Sequence, residues 1–387
     1  MRDRFRVDND GPLDTPLEPG DLERLFEVRG IDRRDFLKIS ALIAAGLIIP
    51  IGCKQPQSTE SVPVDDVVRL KVPPAPSGAA TVGVVRKGEI AEMVATAIAL
   101  AGGLDEIQDG DRVVIKPNLT TGTTFETRVT THPEVLRAVI REVKARTDAA
   151  NITVAEASSF ADPSTLEVAR KVGVYDVVLS EGINWLAFEE DEYVEANSSD
   201  FRHLNFMLKV PKSLTDSRFQ HFINVPMLKN HDMVRKSNAD FTCCMKNHVG
   251  ILERDKRLYG GGKGIHLADL GENIAELNLV VPVHTMNVVD ALTVVLSGGP
   301  ASSLMTTADP GLILASKDRV ACDSVALAAL RHYASLQGID RPYVGKSVWQ
   351  QAQIVRAQQL NLGRDKAHIE VASDGVDELD AILARWN

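Results

Sequence analysis

Cysteine is scarce, with 4 in 387 residues. That is too few to staple a chain of this length, so a disulfide scaffold is excluded. Cys243 and Cys244 are adjacent and Cys322 stands alone, so there is no Cys-x-x-Cys pair and no ferredoxin-type iron–sulfur run. A Gly-x-Ser-x-Gly elbow and a His-Glu-x-x-His motif are also missing. There is no basic excess. The net charge of −10 argues against a general nucleic-acid binder, whose footprint would be positive. Glycine and proline are at ordinary levels and no heptad run is visible, which removes collagen-like and coiled-coil classes. A hydrophobic share of 44% and a charged share of 25% instead suit a globular protein with a sizeable core.

The apolar run at residues 39–52 is shorter than the roughly 20 residues a spanning helix needs, and it fits a signal h-region. Directly before it, Arg33-Arg34-Asp35-Phe36-Leu37-Lys38 resembles the twin-arginine export motif. A short buried helix that happens to follow two arginines is the plainer alternative. Ile49-Pro50-Ile51-Gly52-Cys53 resembles a lipobox, with Cys53 as the lipidation candidate, although Pro50 departs from the pattern. The sequence thus divides into a signal segment at 1–53, a polar tether at 54–80 and a single domain at 81–387. Export by the twin-arginine machinery, to the periplasm or another extracytoplasmic compartment, is the expectation. Membrane contact would come only through the signal or a lipid anchor.

Beyond the tether, short β-branched runs alternate with amphipathic segments. Strands are expected at 81–85, 111–115, 151–155, 286–289, 312–315 and 367–371. Helices are expected at 90–100, from 132, at 164–172, 267–277, 319–332, 347–360 and 377–386. The stretch 198–222 breaks the alternation and reads as a β-rich insertion. Repeated βα units predict an α/β three-layer sandwich with a mostly parallel sheet.

Chemistry-bearing residues gather where such strands end. Lys116 and Asn118 follow an apolar strand, at the edge where open α/β sheets bind ligands, and a Thr-rich loop continues to Thr131. The triplet Lys229-Asn230-His231 recurs as Lys246-Asn247-His248. Lysine supplies point charge, asparagine two-way hydrogen bonding, and histidine a proton relay or a metal ligand. Arg235, Lys236 and the run Gly260-Gly261-Gly262-Lys263-Gly264 add a basic segment in an acidic chain. A metal site at His231, His248 and His266 is the rival reading, although their spacing matches no compact zinc pattern. Glu156, Asp290, Asp318 and Asp323 are the acidic candidates, with Asp318 placed as a helix N-cap.

Several of these segments, taken with their order over 111–330, resemble the family called domain of unknown function 362. They are Val114-Ile115-Lys116-Pro117-Asn118-Leu119, Lys229-Asn230-His231, Met245-Lys246-Asn247-His248-Val249-Gly250, Val288-Val289-Asp290-Ala291 and Ser316-Lys317-Asp318-Arg319-Val320-Ala321-Cys322-Asp323. The resemblance maps the family motifs onto Lys116, Asn118, Lys229, His231, Lys246, Asn247, His248, Asp290 and Asp323, and it implies no established chemistry. Some members carry an added ferredoxin-like domain whose cysteines this chain lacks, and no cofactor is assigned. The first expectation is that Lys116, Asn118, Lys229, His231 and Asn247 bind an anionic small molecule or cofactor. His248 and Lys246 would then serve any catalysis, with Asp323 orienting a lysine. The alternatives are a metal- or redox-cofactor protein of the cell envelope and a non-catalytic envelope binding or assembly factor.

Overall fold

The computed structural model describes residues 67–387 except 121–128, 159–163, 205, 232–238, 254–263, 267–268 and 300–304. Arg33, Arg34, Cys53, the first part of the tether, Arg235, Lys236 and Gly260 to Lys263 lie outside the described residues. No helix among the described residues is long and apolar enough to cross a membrane.

A strand with successive apolar side chains must be covered on both faces. Strands β2 (Ala80–Val85), β3 (Val113–Pro117), β4 (Ile152–Glu156), β5 (Asn184–Ala187), β8 (His221–Val225), β11 (Met286–Ser297), β13 (Leu312–Ser316) and β14 (Ile369–Asp374) form the main path of one large sheet. Its order is β14-β2-β13-β11-β8-β3-β4-β5. Every neighbouring pair on this path is parallel except those of β13, which runs against both β11 and β2. Strand β9 (Met227–Asn230) continues β8 after Pro226 and pairs with β10 (Phe241–Thr242) and β11; β12 (Thr306–Ala308) pairs with β11.

One face carries Val113, Ile115, Ile152, Val154, Ile223 and Val225. It packs under α1 (Ile90–Leu100), α2 (Pro133–Lys144), α3 (Thr165–Lys171) and α4 (Val174–Glu181). The alternate residues of the same strands face the other layer. Val114 and Phe222 meet α5 (Leu270–Leu277) and α8 (Ala352–Gln359), and Val82, Val84, Leu312 and Leu314 meet α6 (Arg319–Leu336). The short helices α7 (Pro342–Gly345) and α9 (Leu379–Leu383) complete the described helices. This is the three-layer α/β sandwich that the alternation predicts.

The differences are local. Gly173, expected only to end a helix, stands at φ +80° and starts α4 at once. The β-rich insertion is a three-stranded sheet of β1 (Val68–Arg69), β6 (Tyr193–Asn197) and β7 (Leu208–Pro211), so it begins before residue 198. Residues 221–222, counted with it from sequence, belong to β8 of the main sheet. The folded body also begins before residue 81. Val68, Leu70 and Val72 alternate at strand period and pack on the insertion side of the core, and the Leu70 amide donates to Asn197 O at 2.8 Å.

Glu276 ties the insertion to the helical layer. Its carboxylate is fully buried, accepts from the amides of Arg202, His203 and Leu204, and pairs with the Arg356 guanidinium at 2.8 Å. Removing one partner leaves a buried charge uncompensated. Glu276→Ala is therefore expected to cost roughly 3–5 kcal/mol in urea unfolding, and a loss under 1 kcal/mol would contradict this role.

Candidate functional site

Strands β3 and β4 end side by side and β9 prolongs β8, the other neighbour of β3, so Lys116, Glu156 and Lys229 arrive at one end of the sheet. Lys116 donates to Glu156 at 2.5 Å, and both side chains are buried. The 3₁₀ turn Lys246–Ile251 lies across this ion pair. At Gly250 the approach is so close that a Cβ would fall 2.0 Å from Glu156 Oε1 and 2.5 Å from Lys116 Nζ. Glycine is required there for lack of space.

Between the strand ends and this turn is a cavity of about 60 Å³, lined among others by Asn118, Lys229, His231, Lys246, Asn247 and His266. The structure thus brings these six sequence candidates together. Lys229 donates to Asn118 Oδ1 at 2.8 Å, to Thr120 Oγ1 at 2.6 Å and to Val129 O. Three acceptors match the three protons of an ammonium. Burial and the neighbouring Lys246 charge nevertheless pull its pKa down to about 7, with Glu156 opposing. Lys246 also falls to about 7 through burial, with Asp240 opposing, and its one hydrogen bond among the described residues is to Ala239 O at 3.3 Å. His231 stacks on His266 with centroids 5.8 Å apart. Burial first, then the charge of Lys246, holds His231 well below its ordinary value, so it is neutral. His231 Nδ1 and the hydroxyl of Thr242, which also lines the cavity, are buried without a hydrogen-bond partner among the described residues.

From Lys229 a chain of amides crosses the interior. Asn118 Nδ2 donates to Asn247 Oδ1 at 2.9 Å, Asn247 Nδ2 to Asn224 Oδ1 at 2.8 Å, and Asn224 Nδ2 to Asn287 Oδ1 at 3.1 Å. Asn287 Nδ2 ends the run on Ser316 O at 3.0 Å. Lysine can only donate and a carbonyl can only accept, so every amide between them has a fixed orientation.

His248, expected as an acid/base residue, is not at the cavity. Its ring is fully buried, stacks on His284 with centroids 4.9 Å apart, and places its Nε2 3.1 Å from His284 Nε2. Asn287 Oδ1 accepts from His284 Nδ1 at 2.6 Å, so His284 Nε2 is the acceptor and His248 carries the proton at Nε2. Burial holds both rings well below their ordinary value. His248 thus parts from His231 and His266, and the three-histidine metal site does not form.

Asp323 corrects a second expectation, because its side chain contacts no lysine among the described residues. Its carboxylate accepts from the amides of Cys244 at 2.6 Å and Met245 at 3.3 Å, and so fastens the backbone just ahead of Lys246. Burial raises its pKa to about 6. Asp318 caps α6 by accepting from Val320 N and Ala321 N, and Asp290 accepts from the amides of His132 and Leu292. The described residues that could hold a metal are Cys243, Cys244 and Asp323, fully buried with ligand atoms within 4.8 Å of one another, and the more exposed His203, Asp269 and Glu272.

A lysine at about 7 in the fold titrates near 10.4 when unfolded. Between those values the unfolded chain binds more protons, so this contribution to stability rises with pH; below 7 the full penalty of a buried charge is present. Lys246→Met should therefore raise the midpoint of thermal unfolding most near pH 6, with the gain shrinking toward pH 10. A gain independent of pH would contradict the assignment.

Among curated proteins, none matches the chain. Residues 113–328, which hold the strand ends, the 3₁₀ turn and the amide chain, match the family described as Domain of unknown function (DUF362). The match spans more than half of the sequence, and the chain belongs to that family.

Proposed function

We propose that the cavity between β3, β9 and the 3₁₀ turn binds a small anion, or the anionic head of a small molecule. The carrying observation is that Lys229 and Lys246 meet there, both with pKa values near 7. Two positive charges confined at short range need a negative partner or must lose a proton. The orphaned Thr242 hydroxyl and His231 Nδ1 supply further hydrogen bonds to a guest. The Lys246 amine, about half protonated at neutral pH, is suited to giving or taking a proton from that guest.

Acetate and sulfate keep a constant charge above pH 6 and serve as probes. Calorimetry on the full chain should show affinity falling at least tenfold from pH 6 to pH 8.5, and at least tenfold on Lys246→Met. Undiminished binding in that variant would overturn the reading. A metal site is the second reading, favoured by the cluster of Cys243, Cys244 and Asp323. Stoichiometric metal that is lost in Cys243→Ser would establish it.

The reading also places the protein outside the cytoplasm, on the strength of Arg33-Arg34-Asp35-Phe36-Leu37-Lys38 and the apolar run that follows. Lys substituted at both Arg33 and Arg34 should leave the full chain in the cytoplasm, and Cys53→Ser should abolish incorporation of labelled lipid. Normal export of the double variant would refute the twin-arginine route.

A further inference from the structure

A second cavity, of about 510 Å³, opens at the opposite end of the sheet, where β2 begins and β13 ends. Its volume lies in the range of pockets that hold small organic molecules. Pro73, Pro76, Pro282, Val283 and Leu362 give it apolar walls, while Lys317, Arg319 and Arg364 give it cations.

Arg319 is the unusual member. It is 2% exposed, yet no carboxylate pairs with it among the described residues. Its Nη1 donates to Asn278 O at 3.3 Å and Oδ1 at 3.0 Å, and its Nε and Nη2 make no hydrogen bond among the described residues. Arg364 donates through Nη1 to Pro76 O, but its Nε is buried and has no hydrogen-bond partner among the described residues. The nearby acids are already committed. Glu106 pairs with Lys317 at 2.8 Å, and the Asp318 carboxylate accepts from the amides of Val320, Ala321 and Arg364. Those bonds also consume the first amides of α6, so the helix end itself is not the free donor. A guanidinium with N–H groups left over offers a planar fork that suits a two-oxygen anion, and a buried one without an acceptor, as Arg364 Nε is among the described residues, is costly.

We infer that this cavity binds a small organic oxyanion, a carboxylate or a phosphate on an apolar body, with Arg319 and Arg364 gripping the head group and the proline-rich wall covering the rest. The site is separate from the lysine cavity and does not depend on its proposed role. Burial lowers Arg319 only to about 10, so the site stays cationic near pH 8.5, where the lysines have lost their protons.

Titration calorimetry of the full chain with benzoate and with phenyl phosphate tests this, with benzyl alcohol as the neutral control. Either anion should bind at least tenfold more tightly than the alcohol, and the better of the two identifies the head group. Val283 is 71% exposed on the cavity wall, so Val283→Glu adds repulsion without touching the core. It should weaken the anion at least tenfold, while Lys246→Met should leave binding unchanged. Failure of both anions to bind, equal binding of the alcohol, or loss in Lys246→Met with retention in Val283→Glu would overturn the inference.

Discussion

The run of amides from Lys229 to Ser316 O is the interaction on which the arrangement rests. It passes through the segment after β3, the 3₁₀ turn, β8 and β11 before ending on β13. Each asparagine donates to the next, and Asn224, Asn247 and Asn287 are buried. Losing one link would strand both neighbours in a medium that offers no replacement, so the run holds these elements as one unit. Its amide dipoles also align, with oxygens directed back toward Lys229. That field favours the ammonium against the burial that would discharge it.

Two other devices fix the turn that carries Lys246. Asp323 holds the amides ahead of it, and Asn278 Nδ2 donates to Met245 O at 3.0 Å. Behind the turn, Gly250 lies against the Lys116–Glu156 pair with no room for a side chain. The turn is thus clamped at both ends, and two lysines that repel one another are kept at the same cavity. A loop free to relax would separate them.

Much of the fold was legible, because the apolar runs at 81–85, 113–115, 152–155 and 312–315 are buried strands with no competing period. Strand β5 was not, since Asn184-Trp185-Leu186-Ala187 is a short edge strand with only one buried residue. The site was half legible. The same Lys-Asn-His triplet stands on a strand at 229 and on a 3₁₀ turn at 246, and the two backbones send their third residues to different places. Strand alternation sends Lys229 and His231 to the cavity and Asn230 to Asp240 O. The tighter turn presents Lys246 and Asn247 and rotates His248 away. A sequence repeat alone does not carry that difference. The amide run did leave a trace, as Asn224 in Ile223-Asn224-Val225 and Asn287 in Met286-Asn287-Val288 interrupt strands that are otherwise apolar. A polar side chain in that position has to find a buried partner. His284 and Arg319 had no comparable signal, because neither interrupts a pattern.

If the cavity binds an anion as proposed, the paired lysines near pH 7 would make it a proton store as well as a cradle. A bound anion would stabilise both ammonium forms, so their pKa values would rise on occupation and the protein would take up protons from solvent. Filling and protonation would then be a single thermodynamic event, with a heat that depends on the ionisation enthalpy of the buffer. Release would run the same exchange backward and return those protons to the surroundings, so that occupancy of the cavity would follow local acidity.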